Sequence, residues 1–491
     1  MSPVWKTSPD THHGKLPSRA PLRDKGMDGS EEQPEHRIAP ALTAAQETKL
    51  WRKIDLRVMS IIILMCLFSS LDRGNIGNAK LDGLTTQLDL TGNKYNIALM
   101  MYFIPYSLLD FPSNLVIQVI RPSRWLPGIV VTWGFVLMLM GFVKTYPQLL
   151  CARVCLGVAE AGFYPGVFIT MWYPKYMYQY RVGLTTAAVG VAGAFSGLLA
   201  YAIGFMNGDG GLEGWSWIFI LEGVATILVG FIAAFTMVDY PSTAKFLTAE
   251  ERSFMEKRGR DDVQDGEHNK SQQVWAAFTD WQVWTLAVVQ VSVTIPAYGI
   301  TYFLPSIIND FGYSASISQL LTIPAYALAT VTTLVFSYFS DKCKLRSPFI
   351  FAGQSIALLG YIINISDAPS SVKFFGTYLC IIGSFSSAPG GTSWLANNLR
   401  GEYKRAVGMA LQNSVGTLGG VVGSYIFRTQ DAPRYLLGYG LAIMFISVGL
   451  ITIVITVLAY KSLNARLDRE ELVEKQQGRR GDPAPGFRYT L

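Results

Sequence analysis

Arg153 and Glu160 stand inside LLCARVCLGVAEAGFYPGVFITMW, an apolar run ending at Trp172 and long enough to cross a bilayer. Seven residues separate them, almost two helical turns, so both lie on one helix face. An earlier run, RVMSIIILMCLFSSLDRGNIGNAK, holds Asp72, Arg73 and Asn75 well inside it. A charge at membrane depth costs at least ~2.5–3.5 kcal/mol, so these groups must face the protein interior or a watery cavity rather than lipid. At the helical rise, Asp72 lies ~22 Å into its run; Arg153 reaches a similar depth from the other side, and Glu160 lies ~10 Å deeper, near the midplane. An arginine stays charged and offers a planar fork that fits a carboxylate. Desolvation favours the neutral form of a buried carboxyl and a nearby guanidinium favours its charged form, so the group is poised to take and release a proton. An acid arriving at the arginine weakens the internal pair and favours protonation. Arg73 and Arg153 are therefore expected to bind an anion, and Asp72 and Glu160 to carry a proton. The alternative is an ion-pair lock between the two helices, but buried pairs stabilise poorly where apolar side chains would pack.

These residues need helices to hold them. Twelve apolar spans are expected near 57–79, 95–119, 125–144, 148–172, 182–206, 215–238, 275–304, 317–340, 347–366, 372–395, 404–427 and 437–460. The one long hydrophilic break, 239–273, divides them six and six. The expected organisation is a disordered tail over 1–50, a six-helix half over 51–238, a central loop over 239–273, a second half over 274–460 and a tail over 461–491, with a short charged helix at NARLDREELVEKQ. The halves repeat: YPG at 164–166 precedes Arg181 as APG at 388–390 precedes Arg405, and Ile104-Pro105 matches Ile323-Pro324. The fold class is all-α integral membrane, twelve transmembrane helices in two pseudo-symmetric halves. Glycines form a stripe in span 5 (Gly183, Gly190, Gly193, Gly197, Gly204) and a cluster in span 11 (Gly416, Gly419, Gly420, Gly423). They serve either static close packing or sliding between halves.

Only 15% of the 491 residues are charged, and the mean hydropathy is +0.28, both far from soluble values. Loops after even-numbered spans, counted with the adjoining span ends, carry sixteen Lys and Arg against six for the alternate loops counted the same way, which predicts both termini in the cytosol. The net charge of +6 reflects those loops and not a nucleic-acid surface. Residues 1–50 contain no apolar core of a cleaved signal. No Cys/His metal spacing, nucleophile constellation or phosphate loop is visible, so no metal, cofactor or enzymatic activity is expected and the energy source should be an ion gradient. Further polar candidates are Glu222 in WSWIFILEG, Asp110 in LLDFPSN, Tyr298 and Tyr302 around Gly299 beside a kink-forming Pro296, Ser393, Trp394 and Asn397 after a local break at Pro389-Gly390-Gly391, and Gln412 and Asn413. Asn75 and Glu222 complete a possible coupling network, with a purely structural role the alternative for Glu222, and Asp110 suits a gate or a helix-end contact.

Several stretches carry a resemblance: LDRGNIGNA, RVCLGVAEAGFYPG, GWSWIFILEG, DYPSTAKFLTAEER, YGITYFLPSII, SWLANNLRGEYKRAVGMAL and DAPRYLLGYG. Together, over about residues 50 to 460, the chain resembles the anion:cation symporter family of the major facilitator superfamily, in its fungal allantoate permease-like branch. The resemblance implies alternating access around a cavity between the halves. It places anion and proton roles on Asp72, Arg73, Arg153 and Glu160, and substrate contacts on Ser393, Trp394 and Asn413. Two departures stand out. The family's loop 2–3 signature survives only as NLVIQVIRPSR, whereas SDKCKLRSP keeps the second copy; and GTLGG in span 11 replaces a glycine-asparagine pattern. The expectation is a monomeric plasma-membrane carrier that imports a small organic carboxylate (allantoate, nicotinate, pantothenate or similar) with protons. Export of an acidic metabolite and nutrient sensing with little flux are the alternatives.

Overall fold

The computed structural model describes residues 42–116, 120–163, 165–263, 270–432, 434–476 and 488–491. Twelve long helices carry the fold: α1 (Ala44–Gln87), α2 (Lys94–Val116), α3 (Pro122–Met140), α4 (Tyr146–Trp172), α5 (Lys175–Ile203), α6 (Gly214–Thr236), α7 (Trp281–Asp310), α8 (Ala315–Cys343), α9 (Ser347–Ile365), α10 (Ser370–Asn398), α11 (Glu402–Ile426) and α12 (Leu436–Gln476). Among the described residues, nine are long and apolar enough to cross a membrane by length and composition alone; α2, α10 and α11 fall outside that set. Those three bury polar side chains against other helices: Asn96, Ser107, Asp110 and Asn114 in α2, Ser384 to Asn398 repeatedly in α10, and Gln412, Ser414 and Thr417 in α11.

The same packing is built twice. In the first half α1 packs on α5, α2 on α4 and α3 on α6; in the second, α7 packs on α11, α8 on α10 and α9 on α12. The halves meet along α5 against α8 and α2 against α11, with α1 touching α7. The α5 glycines serve that seam. A Cβ at Gly190 would stand 2.3 Å from Thr330 Oγ1, and one at Gly197 would stand 2.6 Å from the backbone oxygen of Gln319. In α11 the cluster divides: Gly416, Gly419 and Gly423 face α7 within their own half, and Gly420 meets Phe103 of α2 across the seam. A side chain at Gly197 should therefore wedge the halves apart. Gly197→Leu is expected to reduce transport at least tenfold at unchanged surface abundance. Gly204→Leu, with nothing within 4 Å of its Cβ position, should transport normally; equal rates for the two would refute a tight seam.

Local structure departs from the sequence reading at four places. First, α1 starts at Ala44, inside the stretch read as tail. Thr43 and Gln46 form a capping box, and Leu50, Trp51 and Ile54 are buried, so this amphipathic turn belongs to the helical body. Second, α12 runs unbroken to Gln476, absorbing the expected separate charged helix. Third, α10 continues straight through Pro389. Gly390 and Gly391 keep right-handed backbone, so the expected break does not form. Fourth, α4 is interrupted. Gly162 adopts φ +87°, and a Cβ there would stand 2.3 Å from that of Ser113, so only glycine lets the chain turn this close to α2.

Both described ends of the helical body lie on one face. There Lys53 pairs with Glu251 of the central loop at 2.8 Å and Arg181 with Asp55 at 2.9 Å. Tyr180 at the start of α5 donates its N–H to Asp341 Oδ2 of α8 at 2.7 Å, joining the halves.

Candidate functional site

A cavity of about 280 Å³ lies between the halves, lined from α1, α4, α5, α7, α10 and α11. Its wall includes Ser70, Arg73, Thr185, Thr186, Gln290, Thr294, Tyr298, Thr301, Tyr302, Ser384, Thr392 and Asn413. Among the described residues, Arg73 is the one charged side chain in that lining. Its position follows from helix geometry: Asp72 and Arg73 are adjacent, ~100° apart around α1, so they face different neighbours.

Arg73 faces the cavity and Glu160. Its Nε donates to Glu160 Oε1 at 2.8 Å and its Nη2 stands 2.6 Å from the same oxygen. The guanidinium also reaches Tyr298 OH at 3.4 Å and Tyr106 OH at 3.3 Å, and it lies over the Tyr106 ring at 5.1 Å. Glu160, 1% exposed, accepts further from Ser69 Oγ at 2.8 Å and from Tyr102 OH at 2.6 Å. The carboxylate is thus fully satisfied, whereas the arginine keeps one side toward open space, with 20% of its side chain exposed. The close approach of α4 to α2 makes this possible: a Cβ at Gly157 would stand 2.2 Å from the Tyr102 backbone oxygen.

Asp72 faces away, toward α3 and α6. Its Oδ2 accepts from Trp133 Nε1 at 2.9 Å and Thr226 Oγ1 at 2.8 Å, while Oδ1 has no partner among the described residues. One turn on, Asn75 donates to Glu222 Oε2, and Ser196 of α5 reaches Asn75 at 3.5 Å. Asp72, Asn75 and Glu222 therefore form a second buried polar group behind the cavity wall, separate from Glu160.

Arg153 is 2% exposed and does not line the cavity. Its charged and phenolic neighbours are Tyr302, Tyr95, Tyr102 and Glu160, and its Nε and Nη2 lack hydrogen-bond partners among the described residues. Tyr298 and Tyr302 line the cavity, stacked at 5.9 Å with an interplanar angle of 11°. Asn413 lines it too and donates to Asp110 Oδ2 at 2.8 Å; Ser414 adds a bond at 3.0 Å. Asp110 thereby ties α2 to α11 across the halves. Ser393 and Trp394 stand elsewhere. The Ser393 hydroxyl donates back to Pro389 O at 2.8 Å, and the Trp394 indole donates to Thr490 O at 2.8 Å.

The wall also contains groups that sequence reasoning passed over. Gln290 and Ser384 line the cavity, and Gln290 Oε1 and Ser384 Oγ have no partners among the described residues. Gln290 fits because Gly416 and Gly391 leave room; Cβ atoms there would stand 2.5 Å and 2.9 Å from its side chain. A lone amide in VVQVSVTIP was the available signal. Tyr102 and Tyr106, four apart on α2, were legible as a helix-face pair but not as partners of Glu160 and Arg73.

Paired six-helix halves around a small central cavity define a membrane carrier. The Major Facilitator Superfamily model matches residues 62–424, and the chain belongs to that family; it is a multi-pass membrane transporter, not an enzyme. The chain is 32% identical to an uncharacterised transporter of Schizosaccharomyces pombe over 91% of this chain and 90% of that protein. It is 28% identical to the high-affinity nicotinic acid transporter of Saccharomyces cerevisiae over 91% and 83%. Among solved structures, XylE, the xylose transporter of E. coli, in its complex with 6-bromo-6-deoxy-D-glucose matches with a TM-score of 0.64 at 15% identity, over 82% of this chain and 95% of that one. That likeness concerns the fold.

Proposed function

We propose that this chain is a proton-coupled symporter of a small organic carboxylate, working by alternating access. The observation that carries the reading is Arg73, the one charged cavity residue among the described residues, held by an enclosed carboxylate. A lone arginine in a largely neutral wall selects an anion. While Glu160 is ionised it competes for that arginine; a proton on Glu160 ends the competition, so anion and proton favour each other's binding. Arg153, screened behind tyrosines, adds positive potential without a contact. Asp72 and Glu222 are a second place for a proton. The nicotinic acid carrier among the relatives fits this substrate class, and the branch suggested by the sequence motifs agrees with it. The cavity lies at the small end of ligand pockets, about 300–1,000 Å³, which suits a compact acid. Charge bias in the loops supports a cytosolic position for the face where α1 begins and α12 ends; the membrane of residence we propose is the plasma membrane.

The test is uptake of a labelled carboxylate panel, including nicotinate, allantoate and pantothenate, with and without an inward proton gradient. Gradient-dependent accumulation of one member is expected. Uptake that ignores the gradient would refute coupling, and no uptake by protein at the cell surface would refute import. Gln290 supplies a second arm. Its unpaired amide suits a neutral polar group at the far end of the substrate, so Gln290→Leu is expected to weaken uptake of such a carboxylate about tenfold, near the 1.4 kcal/mol of one lost hydrogen bond. It should spare acids with aliphatic tails.

A further inference from the structure

We propose that the face where α1 begins and α12 ends carries a peptide-binding groove in the second half, and that Arg488–Leu491 of this chain occupies it as a latch on α9, α10 and α12. The segment is held mainly through its backbone, by two asparagine amides that each clamp one residue. Asn464 of α12 accepts the Tyr489 N–H at 2.8 Å and donates to the Tyr489 carbonyl at 2.9 Å. Asn398 of α10 accepts the Thr490 N–H at 2.7 Å and donates to the Thr490 carbonyl at 3.1 Å. A side-chain amide has one donor face and one acceptor face, so it can replace a neighbouring strand for an extended peptide. Trp394 also donates to the Thr490 carbonyl, and the backbone N–H of Arg346 donates to the Leu491 carbonyl at 2.6 Å.

Side-chain recognition flanks this clamp. Arg488 pairs with Asp468 at 2.7 Å and Glu471 at 2.5 Å. The Tyr489 ring stacks on Tyr460 at 5.1 Å with an interplanar angle of 10°. Leu491 packs against a buried apolar cluster that includes Ile350, Trp394 and Leu395. Thr490 is held by its main chain. The ligand class is therefore an extended peptide reading base, aromatic, any residue, aliphatic.

The groove is wired to the transport machinery. Trp394 and Asn398 continue the helix whose Ser384 and Thr392 line the cavity. The Arg346 side chain pairs with Asp341 at 2.6 Å, and Asp341 accepts the Tyr180 N–H from the other half. Occupancy thus holds α10 and supports the Asp341–Tyr180 seam, which favours closure on this face.

The test keeps the full chain length and empties the groove with Tyr489→Pro and Thr490→Pro, which remove the two backbone N–H groups that Asn464 and Asn398 accept, together with Arg488→Ala and Leu491→Ala. A fluorescent Phe-Arg-Tyr-Thr-Leu peptide is then titrated onto the purified protein. Saturable binding is expected, at least tenfold tighter than to the same protein also carrying Asn398→Ala and Asn464→Ala. No binding, or binding indifferent to the two asparagines, would overturn the groove. For the latch, Thr392→Cys is labelled from this face with a membrane-impermeant thiol reagent in a Cys343→Ser background. Labelling should rise severalfold when the groove is emptied and fall again on adding the peptide. Labelling unchanged by either step would overturn the latch, and because the peptide reverses the effect, general misfolding cannot imitate the expected result.

Discussion

Arg73→Ala is expected to abolish saturable carboxylate binding while the protein still reaches the membrane. Losing one partner of a buried, hydrogen-bonded charge pair costs about 2–5 kcal/mol, roughly thirtyfold to several thousandfold in affinity. The fold should survive, because Glu160 keeps Ser69 and Tyr102 as donors and Arg73 itself borders open space. Arg73→Lys tests the geometry as well as the charge. A lysine ammonium keeps the positive sign but loses the fork that reaches Glu160, Tyr106 and Tyr298 together, so affinity should fall by an intermediate amount. The measurement is equilibrium binding of the transported acid to purified protein, with thermal melting as the control. Wild-type affinity in Arg73→Ala would remove the anion clamp from the mechanism.

Glu160→Gln should uncouple transport from the proton gradient. The amide keeps the size of the carboxyl; its oxygen can accept from one of the Ser69 and Tyr102 hydroxyls and its NH2 can donate to the other, but it neither holds Arg73 as an ion pair nor changes charge. Exchange of labelled for unlabelled substrate needs only substrate-bound states, so it should continue. Accumulation against a concentration gradient needs the proton and should stop. The affinity of the variant should also lose the pH dependence of the wild type, staying at the value the wild type shows when Glu160 is protonated. Retained accumulation would place the proton carrier elsewhere. Asp72, with one oxygen unpartnered behind the cavity wall, would be next, and Asp72→Asn in the same assay would decide it.

Much of the architecture was legible in the residue order. The apolar runs, the break at 239–273 and the paired YPG and APG motifs identify two six-helix halves, because a bilayer admits few other ways to satisfy the backbone. The α5 stripe was legible as a close-packed helix face, but whether it faced lipid, its own half or the other half was not; the seam with α8 decided that. Charges inside spans were visible for the same reason that they are costly there. Their partners were not visible. Arg153 and Glu160 share a helix face, yet seven residues put them ~10 Å apart along the axis, too far to pair. Glu160 pairs instead with Arg73, from a helix far away in sequence. Helical periodicity sets the direction of a side chain around its own axis but says nothing of which helix lies there. That choice turned Asp72 toward Trp133 and Thr226, enclosed Arg153 behind tyrosines, and gave Trp394 to the segment at 488–491 instead of the cavity. It also brought in Gln290, whose place in the wall depends on room left by glycines in two other helices.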